Sequence, residues 1–227
     1  MVDWLPKLAT STEGATMEIT WYGHSCFRIT ERGKSSVVTD PYDSAIGYTP
    51  LSLKADIVTI SHNKPGHAYI DAVREWQFAI SRPGEYEIGG VFITGVAMIN
   101  RKVKDPAYNI VYTFDYGNLM VAHLGDLAHV PSQSDMDALG KVDVALVPVG
   151  GGGALSSAQA AEVIGMLEPA LVVPMHFQTQ HSLLDLAPVD KFLTEMGVAH
   201  IEPQDTLKVT LGALPDQTQV VLLNYRT

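Results

Sequence analysis

Three uninterrupted apolar runs limit the folds open to this chain more than any other feature. ADIVTI (55–60), VDVALVPV (142–149) and ALVV (170–173) show no alternation of polar and apolar residues. A strand with one wet face alternates with period two, whereas an unbroken apolar run belongs to a strand covered on both faces. Shorter strand-like runs precede them: MEITWYG and SCFRIT, joined at Gly23 and His24, then KSSVVTDP, GVFITGVAMI, YNIVYTFDYG and NLMVAHLGD. YIDAVREW (69–76) predicts a short helix. SSAQAAEVIGML (156–167) predicts another, with Ser156 and Gln159 spaced as a capping box. PVDKFLTEMG (188–197) predicts a third, with Pro188 near its start and Gly197 near its end. DTLKVTLG and TQVVLLNY close the chain as strands. Strands first, then strands alternating with helices, fit an α/β (α+β) arrangement of two packed sheets with helices outside. Residues 1–16 are polar and small and predict a loose leader, with a single domain over 17–227.

The chemistry gathers where the apolar runs stop. His62 and His67 follow DIVTI within SHNKPGHAY, His123, Asp126 and His129 fall at the end of NLMVA, and His176 ends ALVVPM. If these strands are neighbours in one sheet, their ends converge at one rim, and imidazoles with a carboxylate there suit zinc, iron or manganese. A histidine after a buried strand can also be ordinary turn chemistry, but three strand ends together favour a site. VGGGGA (149–154) lacks the Lys-Ser/Thr of a phosphate-binding loop and predicts a strand-to-helix turn. Ser25 beside His24 does not make a Gly-x-Ser-x-Gly elbow, which argues against a serine hydrolase. Cys26 predicts a small core residue, and Glu85 and Glu87 predict a solvated strand face.

Charge and cysteine usage narrow the class. The chain of 227 residues has a net charge of −10 and one cysteine. It lacks the basic footprint of a nucleic-acid binder, so nucleic acid is not an expected partner. It cannot form an internal disulfide. No signal-peptide pattern or membrane-length apolar run is present, so a cytoplasmic protein acting on a small molecule is expected. VVLLNY (220–225) predicts either a core strand or an interface strand, which leaves a homo-oligomer open.

WYGHSCFRI, VTDPY, ADIVTISH, RPGEYEIGGVFITGV, VAHLGDLAH, VDVALVPVGGGG and VVPMHFQT together resemble the metallo-β-lactamase-fold superfamily. The nearest branch is that of small metal-dependent hydrolases akin to L-ascorbate-6-phosphate lactonases. The likeness runs over residues 17–196 and implies a four-layer αβ/βα sandwich with metals at one rim. In the family's His-x-His-x-Asp-His loop, the first and last histidines fall on His62 and His67. The middle histidine falls on Lys64 and the aspartate on Gly66. A later histidine position falls on Asn100, the bridging aspartate on Asp126 and the final histidine on His176. His129 falls outside the ligand set, and Asp40 and His24 resemble supporting positions behind the ligands.

By that resemblance one of two metal sites keeps only His62, while the other keeps His67, Asp126 and His176. Two readings follow. In one, the chain is a hydrolase of an ester, lactone or phosphoester with an eroded dinuclear site. It then holds at most one divalent metal, zinc before iron or manganese, with His67 and Asp126 catalytic. In the other, no metal binds, Lys64 replaces the metal charge against Asp126, and the rim holds a small ligand or partner without catalysis.

Overall fold

The computed structural model describes residues 15–100, 103–104 and 108–226. The expected leader therefore lies outside the described residues except for its last two positions. In chain order, the first half contributes β1 (Met17–Trp21), β2 (Phe27–Glu31), β3 (Val37–Thr39), β4 (Leu53–Lys54), β5 (Ile57–Thr59), β6 (Val73–Arg74) and β7 (Phe78–Ile80). There follow β8 (Gly84–Ile88), β9 (Val91–Ile99), β10 (Tyr108–Asp115), β11 (Met120–His123), β12 (Val144–Pro148), β13 (Leu171–Met175), β14 (Leu207–Val209) and β15 (Gln219–Val220). Three α-helices are described: α1 (Gln133–Asp137), α2 (Ser157–Leu167) and α3 (Val189–Glu195).

Two sheets form the sandwich. The first runs β14-β1-β2-β3-β5-β7 and the second β15-β13-β12-β11-β10-β9-β8. β1 alternates in burial as its sequence does, with Met17, Ile19 and Trp21 inside. Those side chains join Phe27, Ile29 and Ile57 from the first sheet and Ile93, Tyr112, Phe114 and Val121 from the second in one core. The strands within the unbroken runs are buried throughout: all residues of β5, β12 and β13 are inaccessible or nearly so. α2 covers this side with Ala160, Val163 and Ile164, and α3 with Phe192 and Leu193. Ser156 caps α2 in the expected box with Gln159. The outer face of the first sheet carries Val38 and Val58, which pack with Cys26, Tyr42, Ile46 and Leu53. The layer over that face is a 3₁₀ turn, Ser44–Ile46, and the parallel β4–β6 ribbon.

Two expectations are corrected. YIDAVREW forms no α-helix; it is a 3₁₀ turn, Ile70–Ala72, that runs into β6. Tyr69 gives this turn no side-chain cap, and pairing of Val73 with Leu53 wins over a nucleus too short to propagate. The strands that end in histidine are also not neighbours in one sheet. β5 belongs to the first sheet, β11 and β13 belong to the second, and β12 separates the latter two. Their ends meet across the sandwich instead. At the C-terminus, Leu223 is buried and Val221 and Leu222 pack on the main core, so this segment serves the fold.

Tyr112 ties the sheets together from β10. Its buried hydroxyl lies 3.2 Å from the carbonyl oxygens of both Ile60 and Ile80, at the ends of β5 and β7. Tyr112→Phe removes that donor at nearly constant shape and should cost about 1 kcal/mol of unfolding free energy, measured by urea denaturation. An unchanged midpoint and slope would show that the hydroxyl bond contributes nothing net.

Candidate metal centre

Parallel pairing sets the site. β3 and β5 pair in parallel with Thr39 opposite Thr59, so Asp40 and Ser61 leave the sheet side by side, and Asp40 N donates to Thr59 O at 2.9 Å. On the other sheet β11, β12 and β13 are also parallel, and Asp126 and His176 follow the same ends. His24 comes from the tight β1–β2 turn, closed by Cys26 N donating to Gly23 O at 2.9 Å. Its carbonyl oxygen accepts from Trp21 Nε1 at 3.0 Å and from His176 N at 3.1 Å, which ties the two sheets at the rim. His24, Asp40 and His176 have φ of 49°, 38° and 50°, the left-handed region that non-glycine residues seldom occupy. Backbone held there clusters at functional sites. The glycine run after β12 serves this packing: a Cβ on Gly150 would stand 2.3 Å from His176 O.

A hydrogen-bond relay centred on Asp40 turns the imidazoles. His67 Nδ1 donates to Asp40 Oδ2 at 2.8 Å, and Ser61 donates from its hydroxyl to Oδ2 at 2.5 Å and from its amide to Oδ1 at 2.7 Å. Burial pushes the Asp40 carboxyl up, but the His67 bond, nearby His123 and Ser61 outweigh that and hold it below the usual range. With its proton committed to Asp40, the Ser61 hydroxyl accepts from His62 Nδ1 at 3.1 Å. The Nε2 atoms of His62 and His67, opposite the nitrogens that donate, then face inward. His62 Nε2 lies 3.4 Å from Asp126 Oδ2, and His176 Nε2 lies 3.3 Å from Asp126 Oδ1. His24 Nε2 lies 2.9 Å from His67 Nε2. His62 Nε2 and Asp126 Oδ1 are buried without a hydrogen-bond partner. Buried polar atoms are nearly always satisfied, and inward imidazole nitrogens beside a carboxylate are a donor set that fits a cation.

Ligand atoms of His24, His67 and His176 all lie within 4.8 Å of one another, as do those of Asp40, His62 and His67. The second group is already knit by the hydrogen bonds of Asp40 and shares His67 with the first; Asp126 belongs to neither and adjoins the first through His176. Lys64 does not supply the missing charge from inside. Its Nζ lies 3.9 Å from Asp126 Oδ2, and its side chain is 58% exposed. An ion pair that open to water is screened and weak.

Gly66 has φ of 92° and packs against His24. Asn100 and His129 line a cleft of about 530 Å³ with Ile99, Val130 and Ser132. His123 is fully buried and donates from Nε2 to Ser25 O at 2.9 Å, so it braces the β1–β2 turn. Sequence reasoning missed Ser61 and Asn109. Asn109 is buried in β10, donates from Nδ2 to Leu124 O at 2.9 Å and accepts from Asp126 N at 2.9 Å, which places the Asp126 loop. A lone amide among the apolar residues of YNIVYTF was the available signal.

A family model described as the beta-lactamase superfamily domain matches residues 18–176. A UPF0173 protein of Pyrococcus furiosus is 28% identical over 190 residues, covering 72% of this chain and 84% of the relative. A protein of Thermoplasma acidophilum named UPF0173 metal-dependent hydrolase is 26% identical over 193 residues, with 72% and 84% covered. Among solved structures, a metallo-beta-lactamase superfamily protein from Thermotoga maritima, a candidate Zn-dependent hydrolase by name, aligns with a TM-score of 0.75. It is 36% identical, with 91% of this chain and 98% of that chain covered.

Burial lowers His62 to about 4 and His176 to about 4, and lowers His24 and His123 as well, with neighbouring imidazoles adding to the effect. Unfolded histidine titrates near 6.5. Between that value and the folded ones the unfolded chain holds more protons, so stability is full above about pH 6.5 and falls as pH drops toward 4. Chelator-treated protein should take up about two extra protons on unfolding near pH 5 from His62 and His176, with His24 and His123 adding in the same direction, read from the slope of unfolding free energy against pH. A flat profile between pH 7 and 5 would mean that these imidazoles are charged when folded.

Proposed function

The chain belongs to the beta-lactamase superfamily domain family, and on that footing we propose that it is a metal-dependent hydrolase. It works with a single divalent cation held by His67, Asp126 and His176, with His62 beside them. The observation that carries this reading is the placing of His176 Nε2 and His62 Nε2 against the two carboxylate oxygens of Asp126, with Oδ1 and His62 Nε2 both buried without a hydrogen bond. A divalent cation bound there would supply Lewis acidity and the activation of water at neutral pH.

The chain's own residues supply the rest. Asp40 keeps a proton on His67 Nδ1 and so presents Nε2 inward; carboxylates behind metal-ligating histidines do this commonly. Asp126, 11% exposed, would hold the ion through Oδ1 and would leave Oδ2 as a proton acceptor beside it. The substrate class is a small ester, lactone or phosphoester. The rival reading, a rim without catalysis in which Lys64 stands for the metal, has less support because the Lys64 side chain lies mostly in solvent. Among the described residues no helix is long and apolar enough to cross a membrane.

Protein purified without chelator or metal-affinity resin should contain about one equivalent of zinc, iron or manganese by elemental analysis. Asp126→Ala and His176→Ala should lose it. Asp40→Ala should bind it about 10- to 100-fold more weakly by chelator competition, since the residue acts through His67. Absence of stoichiometric metal after incubation with each ion would overturn the reading.

A further inference from the structure

We propose that His24, delivered by the β1–β2 turn, is itself a ligand of that cation and replaces the carboxylate missing at Gly66. The inference rests on the metal-dependent reading above and assigns the coordination sphere within it. Sequence similarity alone points to His24 as a residue behind the site; the geometry puts it inside. Its Nε2 lies 2.9 Å from His67 Nε2. At that separation two imidazole nitrogens share either a proton or a cation. Two zinc–nitrogen bonds of about 2.0–2.1 Å meeting near a right angle span about 3 Å, so one ion can serve both. The His24 ring centroid is also 4.4 Å from that of His176. The three histidines form the tight group already described.

Gly66 supplies the second line of argument. A Cβ added there would stand 3.2 Å from His24 Nε2, 3.4 Å from His24 Cδ2 and 3.3 Å from Ile46 Cγ2. A side chain at 66 therefore crowds the His24 imidazole, which has to give by a few tenths of an ångström, and its backbone is strained at a φ of 92°. Glycine at 66 and an inward histidine at 24 are one arrangement, and a carboxylate at 66 would demand another. The His24 ring is held where it is. Its carbonyl carries the bonds from Trp21 and His176, and the residue is buried.

The exchange has a chemical consequence. The sphere becomes three imidazoles, His24, His67 and His176, with Asp126 as its carboxylate. Replacing oxygen by nitrogen moves preference away from manganese and toward zinc.

Zinc affinity by competition with a chromophoric chelator should be measured for the full chain and for His24→Ala, His24→Asn, Gly66→Asp and the double variant His24→Ala/Gly66→Asp. Circular dichroism melts control for folding. Both His24 variants should bind zinc at least about 100-fold more weakly, beyond the usual loss for a residue that only supports a ligand. Gly66→Asp should weaken binding in the presence of His24 and strengthen it at least tenfold in its absence. X-ray absorption should count one imidazole fewer in zinc-loaded His24→Asn than in the unaltered protein. If the unaltered protein binds zinc but the His24 variants keep the same imidazole count, His24 is no ligand and the inference fails, while the metal-dependent reading stands. If the unaltered protein binds no metal, that reading fails and the inference with it.

Discussion

The buried carboxylate of Asp40 is the interaction on which the rest of the rim depends. It lies out of water, yet stays below the usual carboxylate range because His67 and Ser61 donate to it. Its demand for protons sets the direction of every bond behind the site. His67 must donate from Nδ1, Ser61 must spend its hydroxyl proton, and His62 must then donate to Ser61. What faces inward is therefore what remains, the two Nε2 atoms. Removing a carboxylate from this position would release the rings and leave its donors unpaired in a dry place.

Backbone topology brings that carboxylate to its donors. Parallel neighbours end at the same edge, and both sheets turn such an edge toward the rim. β3 and β5 supply Asp40, Ser61 and His62; β11 and β13 supply Asp126 and His176. The hairpin of β1 and β2 adds His24. Asn109 on β10 then steers the loop after β11 from the side. Positive φ at His24, Asp40 and His176 shows where the chain leaves its preferred conformations to do this.

Much of this was legible before any coordinates. Unbroken apolar runs mark the fully buried strands, and polar residues at their ends mark the rim. Capping-box spacing marks α2. Motif resemblance identifies the fold and places His62, His67, Asp126 and His176. The short stretch YIDAVREW misleads because a turn and a two-residue strand share its composition with a helix. The pairing of strands across two sheets is invisible in linear spacing, so the convergence was assigned to a single sheet. Asn109 went unread because a lone polar residue in an apolar strand gains meaning only from its neighbour in space, here Asp126.

The origin of the site in both sheets also fixes a sequence of events. His24 and His67 are 43 residues apart in the chain, and Asp126 and His176 come from the other half of the sandwich. An unfolded chain brings none of these pairs together at low cost, and contacts of such long range form late in folding. Capture of a metal at this rim would thus be tied to closure of the two sheets. An ion arriving earlier would meet only scattered imidazoles and carboxylates, and tight loading would report that the sandwich has already closed.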